Sequence, residues 1–236
     1  MRFSDIMAQE NRVEAVERAL TILNCFTPER DELELRDLAK ATGLYKSTIL
    51  RLTGSLERFG YLQRSADGVY RLGPTLWRLG ALYQQGFALA EVIRPVLRRL
   101  SEESGESASF YVREGAVRIC LFRHNSSQAV RHHVDEGQQL PLDRGAAGHV
   151  LRAFTGSEDP ALSEVAKTGA AASQGERDPN TASIAVAVTA TDGSFLGALA
   201  ISGLANRFDA EAQARALEMA TQAAADLRPL LPSALD

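Results

Sequence analysis

Residues 35–73 read LRDLAKATGLYKSTILRLTGSLERFGYLQRSADGVYRLG, and their alternation of apolar stripes and turn formers decides the N-terminal fold. Leu35, Leu38 and Ala39 recur at helical spacing, which gives a short first helix one apolar face. Gly43 follows where the chain must turn and a positive φ costs least. In a second helix Ile49, Leu52, Leu56 and Phe59 are expected to form the buried stripe. Ser47, Thr48, Arg51, Ser55 and Arg58 then occupy the opposite, wet face. Asp67-Gly68 signals a two-residue hairpin turn, and pairing backwards from it sets Arg64 opposite Arg71. Helix, turn, helix and hairpin in this order predict a winged helix-turn-helix.

The wet face suits DNA. Lys46, Ser47 and Thr48 lie in the first turn, where free backbone N–H groups and the helix dipole favour a phosphate. Arg51 lies one turn on, and its forked donors match a guanine edge. Ser47, Thr48 and Arg51 are therefore expected to read bases, with Lys46 and Arg58 beside them and Lys46 on the backbone. Like charges opposite each other weaken a ladder, so Arg64 and Arg71 predict an anion, most naturally phosphate, facing the wing. The competing reading is a pair of core helices with ordinary solvated arginines. Charge favours DNA. Residues 1–35 carry 4 Arg against 8 Asp and Glu, residues 36–99 carry 11 Lys and Arg against 4, and residues 100–236 carry 11 against 18. A basic block within a chain of net charge −4 localises the electrostatic footprint.

At 236 residues the chain suits one large or two modest domains. No apolar run approaches the ~20 residues of a membrane span. The opening MRFSDIMAQENRVEA has no apolar signal core. Cys25 and Cys120 lie in apolar patterns without metal-like spacing and are expected to be reduced core thiols, so the expected location is the cytoplasm. No cofactor or membrane partner is expected. Ser183, Ser202, His149, Asp143 and Glu176 are residue types used in nucleophilic catalysis, yet no G-x-S-x-G elbow or triad spacing organises them. His132-His133 is expected on a strand, its side chains on opposite faces and ill-placed for one metal.

Around the motif, Val13, Val16, Leu20, Leu23 and Phe26 predict a helix packed beneath the recognition pair and ended by Thr27-Pro28. After Gly73-Pro74, the stripe Leu76, Leu79, Tyr83, Phe87 and Ala90 predicts either the seam of a paired helix or packing within its own domain. A further helix runs through Val92, Val96, Leu97 and Leu100 to Ser104-Gly105. Strands are expected at Ala108–Val112, Val117–Arg123, Gln128–Val134, Ser183–Ala190 and Phe195–Ser202. Helices are expected at Ala146–Phe154, near Ala161–Lys167, and from an Asp209 cap to about Leu227. Strands flanked by helices in this manner read as α+β.

Gly43–Leu62 (GLYKSTILRLTGSLERFGYL), the wing DGVYRLG, Leu140–Phe154 (LPLDRGAAGHVLRAF) and Gly197–Gly203 (GALAISG) together resemble the IclR family of bacterial transcription regulators, over about Asn11 to Leu231. The resemblance implies a winged helix-turn-helix domain (11–73), a linker helix (74–91) and a GAF-like α+β domain (92–236) that binds a small organic ligand. It also implies homodimers, or tetramers as pairs of dimers, on double-stranded operator DNA. The family's pocket maps to Gly145, Ala146, Ala147 and Gly148, whose N–H groups could hold a carboxylate. Arg144 adds either a bidentate anion partner or a salt bridge to Asp143.

Where the family often has Asp and then Cys ten residues later, this chain has Ser173 and Ser183. Where it often has Ser-x-Ser, this chain has Ala200 and Ser202. Glu176 is kept and Arg177 follows it. Tyr45 stands where Pro or a small cap is common. The expected effector is a small carboxylic acid, aromatic acids included. Two alternatives are a DNA-binding dimer whose second domain only oligomerises, and an enzyme with a vestigial DNA head.

Overall fold

The computed structural model describes residues 13–27, 29–86 and 89–231. The chain forms two units that divide after Gly86. Among the described residues no helix is long and apolar enough to cross a membrane.

The first unit contains helices α1 (Glu14–Leu23), α2 (Leu35–Thr42) and α3 (Lys46–Arg58), strands β1 (Leu62–Arg64) and β2 (Tyr70–Leu72), and helix α4 (Pro74–Gly86). Glu34 and Asp37 form a capping box that starts α2, and Gly43 at φ 69° ends it, its N–H on the Ala39 carbonyl. Ile22, Leu33, Leu38, Ile49, Leu52, Leu62 and Tyr70 close one core between the helices and the wing. Thr53 is buried there too, its hydroxyl 3.3 Å from the Tyr70 hydroxyl, so helix α3 and the wing share a satisfied polar contact.

Three expectations for this unit are corrected. Phe59 is not in the buried stripe: it is 69% exposed, because α3 ends at Arg58 and the chain leaves helical geometry at Phe59. Val13, Val16 and Leu20 face outward, while Ile22 supplies the buried contact of α1, flanked by Ala19, Leu23 and Phe26. The helix already stops at Leu23, and Pro28 lies outside the described residues. The wing register is shifted. Gly68 N–H bonds the Ser65 carbonyl and Ser65 N–H the Val69 carbonyl, which makes a three-residue loop instead of a two-residue one. Arg64 therefore pairs with Tyr70, and Arg71 with Gln63.

Helix α4 turns Trp77, Leu79, Leu82 and Tyr83 outward. Of the stripe expected to continue from it, Phe87 lies outside the described residues, and Ala90 packs against the core of the second unit.

The second unit opens with α5 (Leu89–Ser104), β3 (Ser107–Glu114), β4 (Val117–His124), β5 (Gln139–Pro141) and α6 (Ala146–Phe154). It continues through α7 (Ser163–Thr168), β6 (Ala170–Gln174), β7 (Thr181–Thr189), β8 (Phe195–Leu204) and α8 (Ala210–Leu227). The strands form one antiparallel sheet in the order β5-β4-β3-β8-β7-β6. Side chains alternate between its faces. Ala182, Ile184, Val186 and Val188 of β7 pack with Ile93, Leu97 and Leu100 of α5 and with Ala216, Ala220, Ala223 and Leu227 of α8. Tyr111, Cys120, Ala185, Ala198 and Ala200 pack on the other face against Ala146, Ala147, Val150 and Leu151 of α6. The fold is α+β. Asp209 caps α8 through the Ala212 N–H at 2.9 Å.

Two strand expectations differ from the structure. Gln128–Val134 is not a strand, because arginine side chains take its carbonyls: Arg207 holds Val130 at 2.9 Å and Arg123 holds His132 at 2.8 Å. The edge position beside β4 goes to β5 instead. Strand β6 was missed because Ala-Ala-Ala-Ser-Gln has little β propensity of its own.

Gly197-Ala-Leu-Ala-Ile-Ser-Gly203 ends where β8 has no room for a side chain. A methyl at Gly203 would overlap the Glu106 carboxylate, which is almost fully buried and paired with Arg207.

Candidate functional site

Two surfaces carry functional chemistry, one in each unit. In the first, α3 begins after Tyr45, which makes no side-chain cap, so the first-turn N–H groups have no side-chain acceptor. Thr48 and Ile49 donate to the Tyr45 carbonyl. Lys46, Ser47, Arg51, Ser55 and Arg58 are exposed, with Thr48 half-buried at the edge of the same face. Lys46, Arg51 and Arg58 have no ion-pair partner among the described residues. A glycine, Gly54, interrupts this exposed face with open space around it.

The wing arginines are differently placed from the expectation of two opposed, unpaired cations. Arg71 is paired with Glu32, its Nη2 at 2.6 Å and Nε at 2.9 Å from Oε1. Arg64 lies over the Tyr70 ring at 5.2 Å. The register shift removes the like-charge pair, so it no longer argues for a facing anion. Both residues do line one shallow concavity with Gln63 and Ser65.

In the second unit a small cavity of about 40 Å³ lies between the sheet and the start of α6. That is room for a few water molecules. Register builds its floor: Ser173, Ser183 and Ser202 stand directly opposite one another on three neighbouring strands. The hydroxyls of Ser173 and Ser183 are 3.0 Å apart. Gly145 and Ala147 close the roof, and Tyr111, Leu140, Arg118, His132, Glu176 and Arg177 complete the lining.

Two of the N–H groups at the start of α6 are already engaged. Gly145 N–H donates to Glu176 Oε2 at 2.7 Å, and Ala146 N–H to Ser173 Oγ at 3.0 Å. His149 Nε2 sits 2.8 Å from the same Glu176 oxygen. Burial pushes the Glu176 carboxyl up, but the Gly145 N–H and His149 outweigh it and hold it below its usual range.

Of the residues expected here, Gly145, Ala147, Ser173, Glu176, Arg177, Ser183 and Ser202 line the cavity. Ala146 is buried and contributes its N–H to Ser173. Gly148 lies behind the lining, where a methyl would fall 2.6 Å from Arg118 Nη1. Arg144 does not reach the cavity: its side chain is 59% exposed, 3.7 Å from Asp143.

The arginine that occupies the site is Arg118 of β4. It is 4% exposed, with Nη1 on the Arg144 carbonyl and Nε buried without a partner. Burial lowers its pKa, as it does for Arg177. Arg118 lay hidden in a strand reading V-R-I-C-L-F-R-H, where one inward charge in an apolar alternation was the available signal. His132 was missed because the segment was read as a strand. It lines the cavity 3.4 Å from Arg177, and burial, then Arg177 and Arg123, push its pKa down to about 4.

Comparison with known proteins bears on both surfaces. The IclR helix-turn-helix domain profile matches residues 15–66, and the profile of the bacterial transcriptional regulator IclR C-terminal domain matches residues 81–161 and 158–228. The chain is 29% identical over 150 residues to the HTH-type transcriptional regulator KipR of Bacillus subtilis, a match covering 64% of this chain and 60% of KipR. It is 26% identical over 223 residues to the regulator XynR of Escherichia coli, covering 84% and 88%.

Its structure superposes on an IclR transcriptional regulator from Silicibacter sp. TM1040 with a TM-score of 0.83 and 27% identity, covering 94% and 98% of the two chains. An IclR homologue of Microbacterium hydrocarbonoxydans, crystallised with 4-hydroxybenzoate, shares the fold at a TM-score of 0.76 and 22% identity, covering 91% and 98%. With both domains matched in order over more than half of its length, the chain belongs to the IclR family of bacterial transcription regulators.

Proposed function

We propose that this protein binds palindrome-like operator DNA as a homodimer through α3 and the wing, and that a small organic acid in the cavity beneath α6 modulates that binding. The family is one of DNA-binding transcription regulators with a C-terminal effector-binding domain, not of enzymes. The observation that carries the DNA half is the outer face of α3: an uncapped N-terminus followed by Lys46, Ser47, Arg51 and Arg58, all exposed and none ion-paired among the described residues. Ser47, Thr48 and Arg51 are assigned to base edges and Lys46 and Arg58 to phosphates. Arg64 serves the wing, and Arg71 reaches a phosphate only by leaving Glu32. We take residues 11–73 as head, 74–91 as linker and 92–236 as sensor.

Dimerisation is supported by the apolar side chains turned to solvent at α1 and on α4: Val13 just before α1, Val16 and Leu20 on it, and Trp77, Leu79 and Leu82 on α4. A symmetric pair of heads would read a two-fold site that one short helix cannot; a tetramer would be a pair of such dimers. The sensor half rests on the serine row, the arginines and the enclosed lining. That a homologue of this fold is described with 4-hydroxybenzoate agrees with an organic acid in this domain. The ligand acts only as far as it distinguishes the two arrangements of the heads.

The test is a fluorescence-anisotropy titration against DNA flanking the protein's own coding region, with random duplex as competitor at two salt concentrations. Selective binding with a steep salt dependence is expected. Equal affinity for flanking and random DNA at both salts would remove operator recognition.

A further inference from the structure

Resting on the reading of the cavity as the effector site, we propose that the ligand is a short dicarboxylate of two to four carbons, held at one end by Arg118 and at the other by Arg177. Part of the seat a single carboxylate would take, the N–H groups opening α6, is filled by the chain's own groups, Glu176 on Gly145 and Ser173 on Ala146, which leaves the N–H of Ala147 in the lining. The charged donors left facing the cavity are the two guanidinium groups. Neither has a carboxylate partner within ion-pair distance among the described residues.

The two arginines approach from different walls. Arg118 lies beneath the start of α6, stacked 5.4 Å from the Tyr111 ring and so close to Gly148 that a methyl there would collide with it. Its residue is almost wholly buried, and its Nε has no acceptor at all. Arg177 lies in the loop after β6, beside His132. The one lining carboxylate, Glu176, is already bonded by Gly145 and His149. Asp178, beside Arg177 but not in the lining, accepts the Asn180 N–H. Arg123, behind the lining, adds a third cation whose side-chain bonds go to Asn125, Ser109 and the His132 carbonyl, none of them an acid.

Desolvated cations without counter-charges are costly. A ligand bringing one carboxylate to each wall supplies both, with forked pairing at each guanidinium. The serine row offers hydroxyls to the connecting atoms. A cavity with room for the centres of only a few water molecules favours a short connection over a long one.

Calorimetric titration of the full-length protein at fixed ionic strength tests this with sodium acetate, oxalate, malonate, succinate, benzoate and phosphate. At least one of oxalate, malonate and succinate should bind ten-fold or more tighter than acetate. Arg177→Gln should reduce that ratio to about one, and Arg118→Gln likewise, with circular dichroism confirming that both variants fold. If acetate or benzoate binds wild-type protein as tightly as every dicarboxylate, the dicarboxylate assignment falls and the effector cavity stands. Phosphate binding as tightly as the best dicarboxylate would replace two carboxylates by one compact dianion. Should none of the six bind, both the assignment and the cavity reading fall.

Discussion

Arg51 and Lys46 are both exposed on α3, and the proposed function gives them different targets, a base edge and a phosphate. Arg51→Ala should cost about 1–3 kcal/mol at the operator and relax specificity at one position. Lys46→Ala should weaken all sequences similarly and lower the salt slope by about one. Competition titrations at several salt concentrations distinguish the two, and equal loss on random DNA would remove Arg51 as a base reader.

In the sensor, His132 stays neutral because burial and then two arginines push its pKa down to about 4 from 6.5. Between those values the unfolded chain takes up a proton that the folded chain refuses, so stability falls as pH drops through that window. Urea denaturation at pH 7 and pH 5 should show the loss, and His132→Gln should flatten it. An unchanged slope in the variant would mean that His132 is free to protonate in the fold.

At the scale of elements, α3 contains a glycine that its own unit does not require. Gly54 has no contact within 4 Å of where a side chain would start, and an interior helical glycine costs roughly 0.5–1 kcal/mol relative to alanine. If α3 is the DNA-reading helix of the proposed function, the place of Gly54 on the exposed face with Arg51 and Arg58 would let the helix sit close against DNA. Gly54→Ala should raise the melting temperature and weaken operator binding together; a stabilised variant with unaltered DNA affinity would contradict that role.

The same helix shows what sequence patterning conveys. Helical spacing located α2, α3 and α6, because each repeats an apolar face over several turns. It misplaced Phe59, where one cap residue rotates the chain off the helix, and it set the wing one residue out of register, since Asp-Gly serves both two- and three-residue loops. The cavity was legible at Gly145, Ser173, Glu176, Arg177, Ser183 and Ser202 through the family resemblance. Arg118 and His132 were not, because their roles depend on contacts made across the fold: Arg118 with residues 144–148, and His132 with Arg177.

For the whole molecule, the proposed dimer would bury the outward apolar residues of α1 and α4. Leu20→Glu should shift sedimentation from dimer to monomer and lower operator affinity at least ten-fold, since each half-site then binds alone. A variant that remains dimeric would move the interface elsewhere. In the proposed function one molecule couples an operator-reading head to an acid-sensing cavity, and such coupling is reciprocal. The most direct measurement is therefore operator affinity at fixed salt and ionic strength, with and without a saturating amount of whichever of oxalate, malonate and succinate binds tightest, in wild-type and Arg177→Gln protein. A change of several-fold or more, in one direction, is expected in wild type and none in the variant. Identical operator affinity with that dicarboxylate bound and absent would contradict the coupling.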